Sequence, residues 1–179
     1  QRSLAFFADC VEGNLLAAHQ EISKLALLYP AGELSSEQVE AAVLNVARYD
    51  VFKLSEAVLG GQRARVHRML DGLQAEGVAE VLVHYTLAED IRALKRVKDA
   101  VAEGRPLPMA LREQRLWGLR ERLFERALPR LTDMQLANLL HAAHQVDGIV
   151  KGLRHPGWPH DPWQALHRLA QSLCGACGS

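Results

Sequence analysis

The chain has 179 residues, of which 49% are hydrophobic and 23% are charged, and these values exclude a disordered chain. Aromatic residues make up only 6%, so the composition favours packed helices over a sheet. Acidic and basic residues number 21 each, but residues 1–60 carry eight acidic and four basic side chains. This asymmetry favours two units, the second with either an anionic partner or a basic surface that is simply solvated.

The first unit, residues 1–50, is predicted to contain two amphipathic helices. After Gly13-Asn14, apolar residues recur at spacings of three and four until Pro30 ends the helix. Ser35 and Gln38 have the spacing of a capping box and predict a second helix that runs to about Arg48. The apolar positions are Leu15, Ala18, Ile22, Leu25 and Tyr29 in the first helix, and Val39, Val43 and Val46 in the second.

The second unit begins near Asp50, and its pattern predicts six further helices and no strand. The first four cover residues 51–59, about 62–76, 79–103 and about 116–131; Thr132 caps the fifth, and Asp161-Pro162 starts the sixth. We expect residues 104–108 and 155–159 to be loops and the tail after Cys174 to fray. The fold class predicted for the whole chain is therefore all-α.

Periodicity also predicts which side chains these helices bury. The predicted core comprises Val66, Leu70 and Leu73; Val81, Leu82, Tyr85, Ala88, Ile91, Leu94, Val97 and Val101; Leu116, Leu119, Leu123, Ala127 and Leu131; Leu136, Leu140, Ala143, Val146 and Val150; and Trp163, Leu166, Leu169 and Leu173.

The sequence contains none of the common catalytic motifs. It has no phosphate-binding loop, no dinucleotide-binding glycine motif and no strand-turn-helix motif around a nucleophilic serine. We therefore predict no catalytic residue and no bound cofactor in this chain. The odd number of cysteines, three, favours a reducing compartment. No run approaches the ~20 apolar residues of a membrane helix, so no membrane span is predicted. We therefore expect the cytoplasm.

His155 and His160 precede Cys174 and Cys177 with gaps resembling those of zinc ligands. The order is the reverse of the common cysteine-first pattern, and Cys174 continues the apolar stripe of the last helix. A buried structural role is therefore preferred to a zinc site, and a zinc protein remains a third hypothesis.

The most suggestive cluster for binding surrounds Trp117. A tryptophan beside guanidinium groups can stack on an exposed base while the arginines hold phosphates. The alternative is that Trp117 borders the core and that the arginines pair with nearby glutamates: Glu113, Glu121 and Glu125. The candidate DNA contacts are Arg115, Trp117, Arg120, Arg122 and Arg126, within a run that also includes Arg112 and Arg130.

Several segments resemble the delta subunit of the bacterial DNA polymerase III clamp loader. The specific one is EGNLLAAHQEISKLALLYP at residues 12–30, and ARYDVF at residues 47–52 resembles the passage between the second and third domains of that family. Weaker matches follow in the same order: Arg115-Leu116-Trp117, Asp147 with Lys151-Gly152, and Trp163 with Leu166 and Leu169. Together they resemble roughly the C-terminal half of a delta subunit.

The resemblance implies that residues 1–50 are the end of a helical AAA+ lid and that residues 51–179 are a helical collar domain. It implies assembly with motor and delta-prime subunits into a pentameric loader, with contact to primer-template DNA. Clamp binding is not expected, because that element belongs to an N-terminal domain of the family. Leu16 occupies the position of the phosphate-binding Arg of motor subunits, which agrees with a subunit that is not an ATPase.

A collar needs an apolar face for its neighbours, and the helix 79–103 is the candidate because Val83 and Leu87 widen its stripe. An equally good interpretation is that this helix is central and buried all round. The alternative function is a stand-alone helical nucleic-acid-binding domain, with its basic residues on one face and steep salt dependence.

Overall fold

The computed structural model describes residues 51–178 and six separate positions before them, namely His19, Ile22, Ser23, Ala26, Gly32 and Ser35. His19, Ile22, Ser23 and Ala26 are helical, as the pattern in residues 14–29 predicts. Ile22 is exposed rather than packed. Leu16, the remainder of that helix and the helix predicted from Ser35 to Arg48 lie outside the described residues.

The described part of the chain is largely helical and contains no strand, which confirms the all-α prediction. A helical segment at residues 51–59 comes first. It is followed by α1 (Arg63–Ala75), α2 (Glu80–Ala102), α3 (Leu107–Glu113), α4 (Leu119–Ala127), a 3₁₀ turn (Leu128–Arg130), α5 (Asp133–Val150) and α6 (Pro162–Gly178). None of these helices combines the length and the apolar character needed to span a membrane.

The helix α6 lies at the centre of residues 51–178. It packs against α1, α2, α4, α5 and the 3₁₀ turn, and α2 also packs against α3 and α5. Its predicted core residues, Trp163, Leu166, Leu169 and Leu173, are all buried. Asp161 begins this helix by accepting a hydrogen bond on its carboxylate from the backbone N–H of Gln164 at 2.8 Å.

The end of α6 does not fray, contrary to the prediction. The helix continues to Gly178, and Cys177 is buried. Glycines explain this, because a Cβ added to Gly61 would lie 2.6 Å from the Cα of Gly178. The turn after residue 59 therefore packs directly on the backbone of the helix end, and Gly175 lets the Arg63 side chain pass over it.

The predicted apolar face of α2 is wrong in its first two turns. Val81 and Tyr85, expected in the core, are 54% and 61% exposed, whereas Val83 and Leu87 are fully buried. Val101, at the other end, is exposed as well. The packing against α5 and α6 selects the face that contains Val83 and Leu87, because α2 has apolar residues on both sides there.

The start of α5 agrees with the prediction. Thr132 and Gln135 form a reciprocal capping box, in which the Thr132 hydroxyl accepts from the Gln135 N–H at 3.1 Å. Leu136, Ala143 and Val146 are buried as expected. Leu140 and Val150 are only half-buried, and the core takes Leu139 and Ile149 from this helix in addition.

Candidate nucleic-acid interface

The chain breaks its helix between α3 and α4, and this break exposes Trp117. The single helix predicted over residues 116–131 is therefore wrong at its start, because α4 begins only at Leu119. Arg115 has φ +54°, and Gly118 has φ +60° with ψ −121°, a conformation that suits glycine and ends helical geometry. Leu116 points into the core, while Trp117 is 63% exposed.

Two of the candidate arginines lie one turn apart on the exposed side of α4. Arg122 is in the first turn, where its N–H donates to the carbonyl of Gly118 at 3.3 Å, and Arg126 follows four residues later. Arg115 is also exposed, in the turn before the helix. These three arginines and Trp117 are called the Trp117 surface below.

The arginines of the Trp117 surface do not form the ion pairs that the sequence offered as the alternative. Within residues 51–178, no carboxylate lies within 4.0 Å of Arg115, Arg122 or Arg126. Glu113 instead accepts from Arg105 at 2.6 Å, and the only hydrogen bond from Arg126 in this part of the chain is a long one of 3.5 Å to the carbonyl of Gly60. The positive charge of this surface is therefore available to an anion.

Arg120 faces the opposite way and does not belong to the Trp117 surface. Its two terminal nitrogens donate to the Asp90 carboxylate at 2.7 Å and to the Ser55 hydroxyl at 2.8 Å, and Ser55 donates to Asp90 at 2.5 Å. Its guanidinium also lies 5.7 Å from the ring centre of Phe124. The sequence analysis included Arg120 among the candidate DNA contacts. In the structure its side chain instead links α4 to α2.

Asp90 is nearly inaccessible to solvent, as is Ser55. Burial raises the pKa of the Asp90 carboxyl, and the charge of Arg120 and the hydrogen bonds from Ser55 and Arg120 oppose this rise. The sequence carried a signal that was missed: Asp90 lies three residues after Leu87 and four before Leu94, on the buried face of α2. An acid at such a position requires a cationic partner.

A second polar contact joins α2 to α5. The buried His84 ring contacts the Ala143 carbonyl through Nε2 at 2.8 Å and lies 3.7 Å from Asp147 through Nδ1. Lys151 donates to the other oxygen of Asp147 at 2.6 Å, and this hydrogen bond lowers the pKa of the Asp147 carboxyl. Asp147 and Lys151 thus stabilise the helix junction.

The structure does not bring the four zinc candidates together. Cys174 and Cys177 are buried within α6, where burial raises the pKa of both thiols, that of Cys177 to about 12. Such thiols are poor ligands and poor nucleophiles. His155 instead lies against Gly148 of α5, and His160 is exposed in the connection before α6. In the described residues, the side chains close enough to share a metal ion are His67, Asp71 and His167.

The chain is similar in sequence to curated proteins that share one name, DNA polymerase III subunit delta. No protein-family model matches it. It is 31% identical over 165 residues to the DNA polymerase III subunit delta of Escherichia coli K12, an alignment that covers 92% of this chain and 47% of that protein. It is 28% identical over 171 residues to the subunit of the same name from Haemophilus influenzae Rd, with coverages of 91% and 48%. The chain thus spans about half the length of the curated relatives it matches.

Proposed function

The chain is related in sequence to DNA polymerase III delta subunits over about nine tenths of its length, and from this relationship we propose that it is a non-catalytic part of a replication clamp loader. Its role is assembly with motor and delta-prime subunits in the bacterial cytoplasm. The sequence relationship carries this proposal. Two observations support it: residues 51–178 pack as a helical domain, and the sequence lacks a phosphate-binding loop.

We assign the assembly role to residues 51–179, as the collar, and residues 1–50 to the end of a helical lid. The exposed apolar pair Val81 and Tyr85 supports this assignment, because both side chains lie one turn apart on α2 and more than half of each is exposed. Large apolar side chains that share one face of a helix are typical of a surface that a partner covers. This face replaces the Val83 and Leu87 face suggested by the sequence.

We further propose that the Trp117 surface contacts primer-template DNA. The observation that supports it is an exposed indole in a turn flanked by three arginines that have no carboxylate partner in residues 51–178. An indole can stack on an unpaired base, and guanidinium groups pair with phosphate oxygens. A junction between duplex and single strand offers both features.

The assembly role is tested by gel filtration with light scattering, using the chain mixed with the motor and delta-prime subunits of the same loader. We expect a stable complex that contains all three proteins. Separate elution at micromolar concentrations would show that residues outside this chain supply the essential contacts, and it would overturn the assignment of the assembly role to this chain.

The DNA contact is tested with Trp117→Ala and primer-template DNA at low salt. Loss of one stacked base costs about 1–3 kcal/mol, so we expect roughly 5- to 150-fold weaker binding. The control is Met134→Ala, which removes an equally exposed apolar side chain from the start of α5. Equal affinities of the two variants would contradict the proposal.

The arginines are tested through the salt dependence of binding. Replacing Arg122 and Arg126 by Gln removes the charge that neutralises up to two phosphates, and we expect the slope of log K against log salt to become less steep by about one for each phosphate that is no longer neutralised. Arg154→Gln, an exposed arginine in the connection after α5, is the control. An unchanged slope would exclude α4 from the interface.

A stand-alone nucleic-acid-binding domain is the second candidate function, and the Trp117 surface favours it as well. The two functions differ in their dependence on partners. A stand-alone domain binds DNA at physiological salt without the other subunits, whereas a loader component does so only within the complex. Binding assays with and without motor and delta-prime subunits therefore separate the two.

A further inference from the structure

Three polar side chains meet where α1 packs against α6. His67 and Asp71 lie one turn apart on α1, and His167 faces them from α6, one hundred residues later. The Nδ1 atoms of the two imidazoles are 3.1 Å apart. The Asp71 carboxylate lies 3.1 Å from Nε2 of His167 and 3.7 Å from Nε2 of His67.

The carboxylate determines which ring nitrogens are free to bind. Asp71 can only accept hydrogen bonds when ionised, so it favours hydrogen on Nε2 of His167, which is 3.1 Å away. Nε2 of His67, at 3.7 Å, is too far for a hydrogen bond, and there the negative charge of Asp71 alone favours hydrogen on Nε2. Both Nδ1 atoms then carry lone pairs that point toward each other across 3.1 Å. Two such lone pairs repel unless a proton or a cation lies between them.

The separation of the two nitrogens suits a metal ion. Zinc binds imidazole nitrogen at ~2.0–2.1 Å, so two tetrahedral nitrogen ligands stand roughly 3.3–3.4 Å apart. A shift of a few tenths of an ångström brings the pair from 3.1 Å to that separation. His67 is largely exposed and is free to make this adjustment, while His167 is held in place with only 18% of its side chain exposed.

The surroundings of the cluster suit a metal ion. A neutral imidazole is the form that binds metal. The cavity in front of the cluster is lined by further oxygen donors, from Gln74, Asp161 and Gln164, which can hold the water molecules of a coordination shell.

We propose that His67 and His167 bind one divalent transition-metal ion through their Nδ1 atoms, with Asp71 orienting the His167 ring. Imidazole pairs suit Zn²⁺, and a carboxylate on the second ring nitrogen is the usual support of a metal-bound histidine. Water completes the shell. The bound ion links α1 to α6, the central helix of the core.

The test is titration of the metal-stripped 179-residue chain with Zn²⁺ by calorimetry near neutral pH, in a Cys10→Ser background so that this thiol does not compete. We expect one equivalent of zinc for each chain. His67→Gln and His167→Gln each abolish this binding, and Asp71→Asn weakens it about 10- to 100-fold. His141→Gln, an exposed histidine of α5, binds zinc like the parent.

Thermal unfolding supplies a second measurement, because His167→Gln alters a partly buried side chain and could disturb the fold. Zinc raises the unfolding midpoint of the parent and of His141→Gln, and leaves that of His67→Gln unchanged. His67 is 64% exposed, so its substitution preserves the core. The proposal is overturned if zinc does not bind saturably below millimolar concentration, or if it stabilises His67→Gln as much as the parent.

Discussion

Arg120 and Asp90 show how a single charged pair can determine the position of a helix. Asp90 is buried on α2, and Arg120 reaches it from the first turn of α4 while also bonding Ser55. A buried pair contributes little net stability, but the loss of one partner leaves an uncompensated charge. From the sequence, Arg120 was predicted as a candidate DNA contact, because helical periodicity describes one helix at a time and contains no information about the acid on α2.

We expect Arg120→Ala to lower the free energy of unfolding by about 3 kcal/mol, since Asp90 then stays buried without its cation. The loss should depend on pH. Without Arg120, the pKa of Asp90 in the folded state rises further above its unfolded value of about 3.9. Folding then favours the protonated acid, so the deficit is largest near neutral pH and shrinks as the pH falls toward about 4. Urea unfolding at several pH values measures this.

The matched control is Arg122→Ala, two residues further along α4, which should change stability by less than about 0.5 kcal/mol. The double variant Arg120→Ala with Asp90→Asn should recover part of the loss and abolish its pH dependence, because no buried charge remains. A pH-independent loss in Arg120→Ala itself would show that side-chain packing, rather than the charge, causes the effect.

At the scale of helices, the sequence pattern predicted which segments are helical better than it predicted which face of a helix is buried or where a helix is interrupted. The capping box of α5 and the proline at the start of α6 were sufficient to place both helices. The first turns of α2 were misassigned because the true buried face there includes the polar residue His84, so a count of apolar residues favours the face of Val81 and Tyr85. Packing of α2 against α5 and α6 buries the face of Val83 and Leu87 instead.

The break before α4 could not be predicted from periodicity, because Leu116, Leu119 and Leu123 have regular helical spacing across it. The backbone conformation of Gly118 is what interrupts the helix. The same limit applies to the candidate sites. Trp117 and its arginines are adjacent in sequence and could be grouped as a candidate site, whereas His67 and His167 are one hundred residues apart and only the fold joins them.

We expect Gly61→Ala to destabilise the fold more than Gly77→Ala does. Both glycines have a similar positive φ, +71° and +70°, so both variants lose about 1–2 kcal/mol to backbone strain. Only at Gly61 does the added Cβ meet backbone, 2.6 Å from the Cα of Gly178, while nothing lies within 4 Å at Gly77. Overpacking adds roughly 1–3 kcal/mol. The difference in urea midpoints between the two variants measures the packing of the turn on the end of α6, and equal midpoints would show that this packing does not contribute.

At the scale of the whole molecule, the described surface combines an apolar pair with a separate basic area. Val81 and Tyr85 lie at the beginning of α2, and the Trp117 surface lies on α4 and the turn before it. Assembly with other subunits and contact with DNA therefore use different residues in our proposal. Because the two roles use different residues, a substitution can impair one role and leave the other intact.

We expect the double variant Val81→Ser with Tyr85→Ser to weaken or abolish co-elution with the motor and delta-prime subunits. It should leave thermal stability within about 0.5 kcal/mol of the parent, because both side chains are more than half exposed. Light scattering and circular dichroism measure the two effects. The control is Val101→Ser, at the other end of the same helix and also exposed. Loss of assembly in the control alone would move the interface to that end of α2.

The central position of α6 has a consequence for synthesis of the protein. The helix that completes the core, residues 162–178, is translated after α1, α2, α4 and α5, which all pack against it or around it. Until it emerges from the ribosome, the parts of α1, α2, α4 and α5 that pack on α6 have no partner and are exposed to chaperones and to aggregation. Complete folding of residues 51–178 during translation therefore waits for α6, and a nonsense codon before Pro162 yields a chain without its central helix.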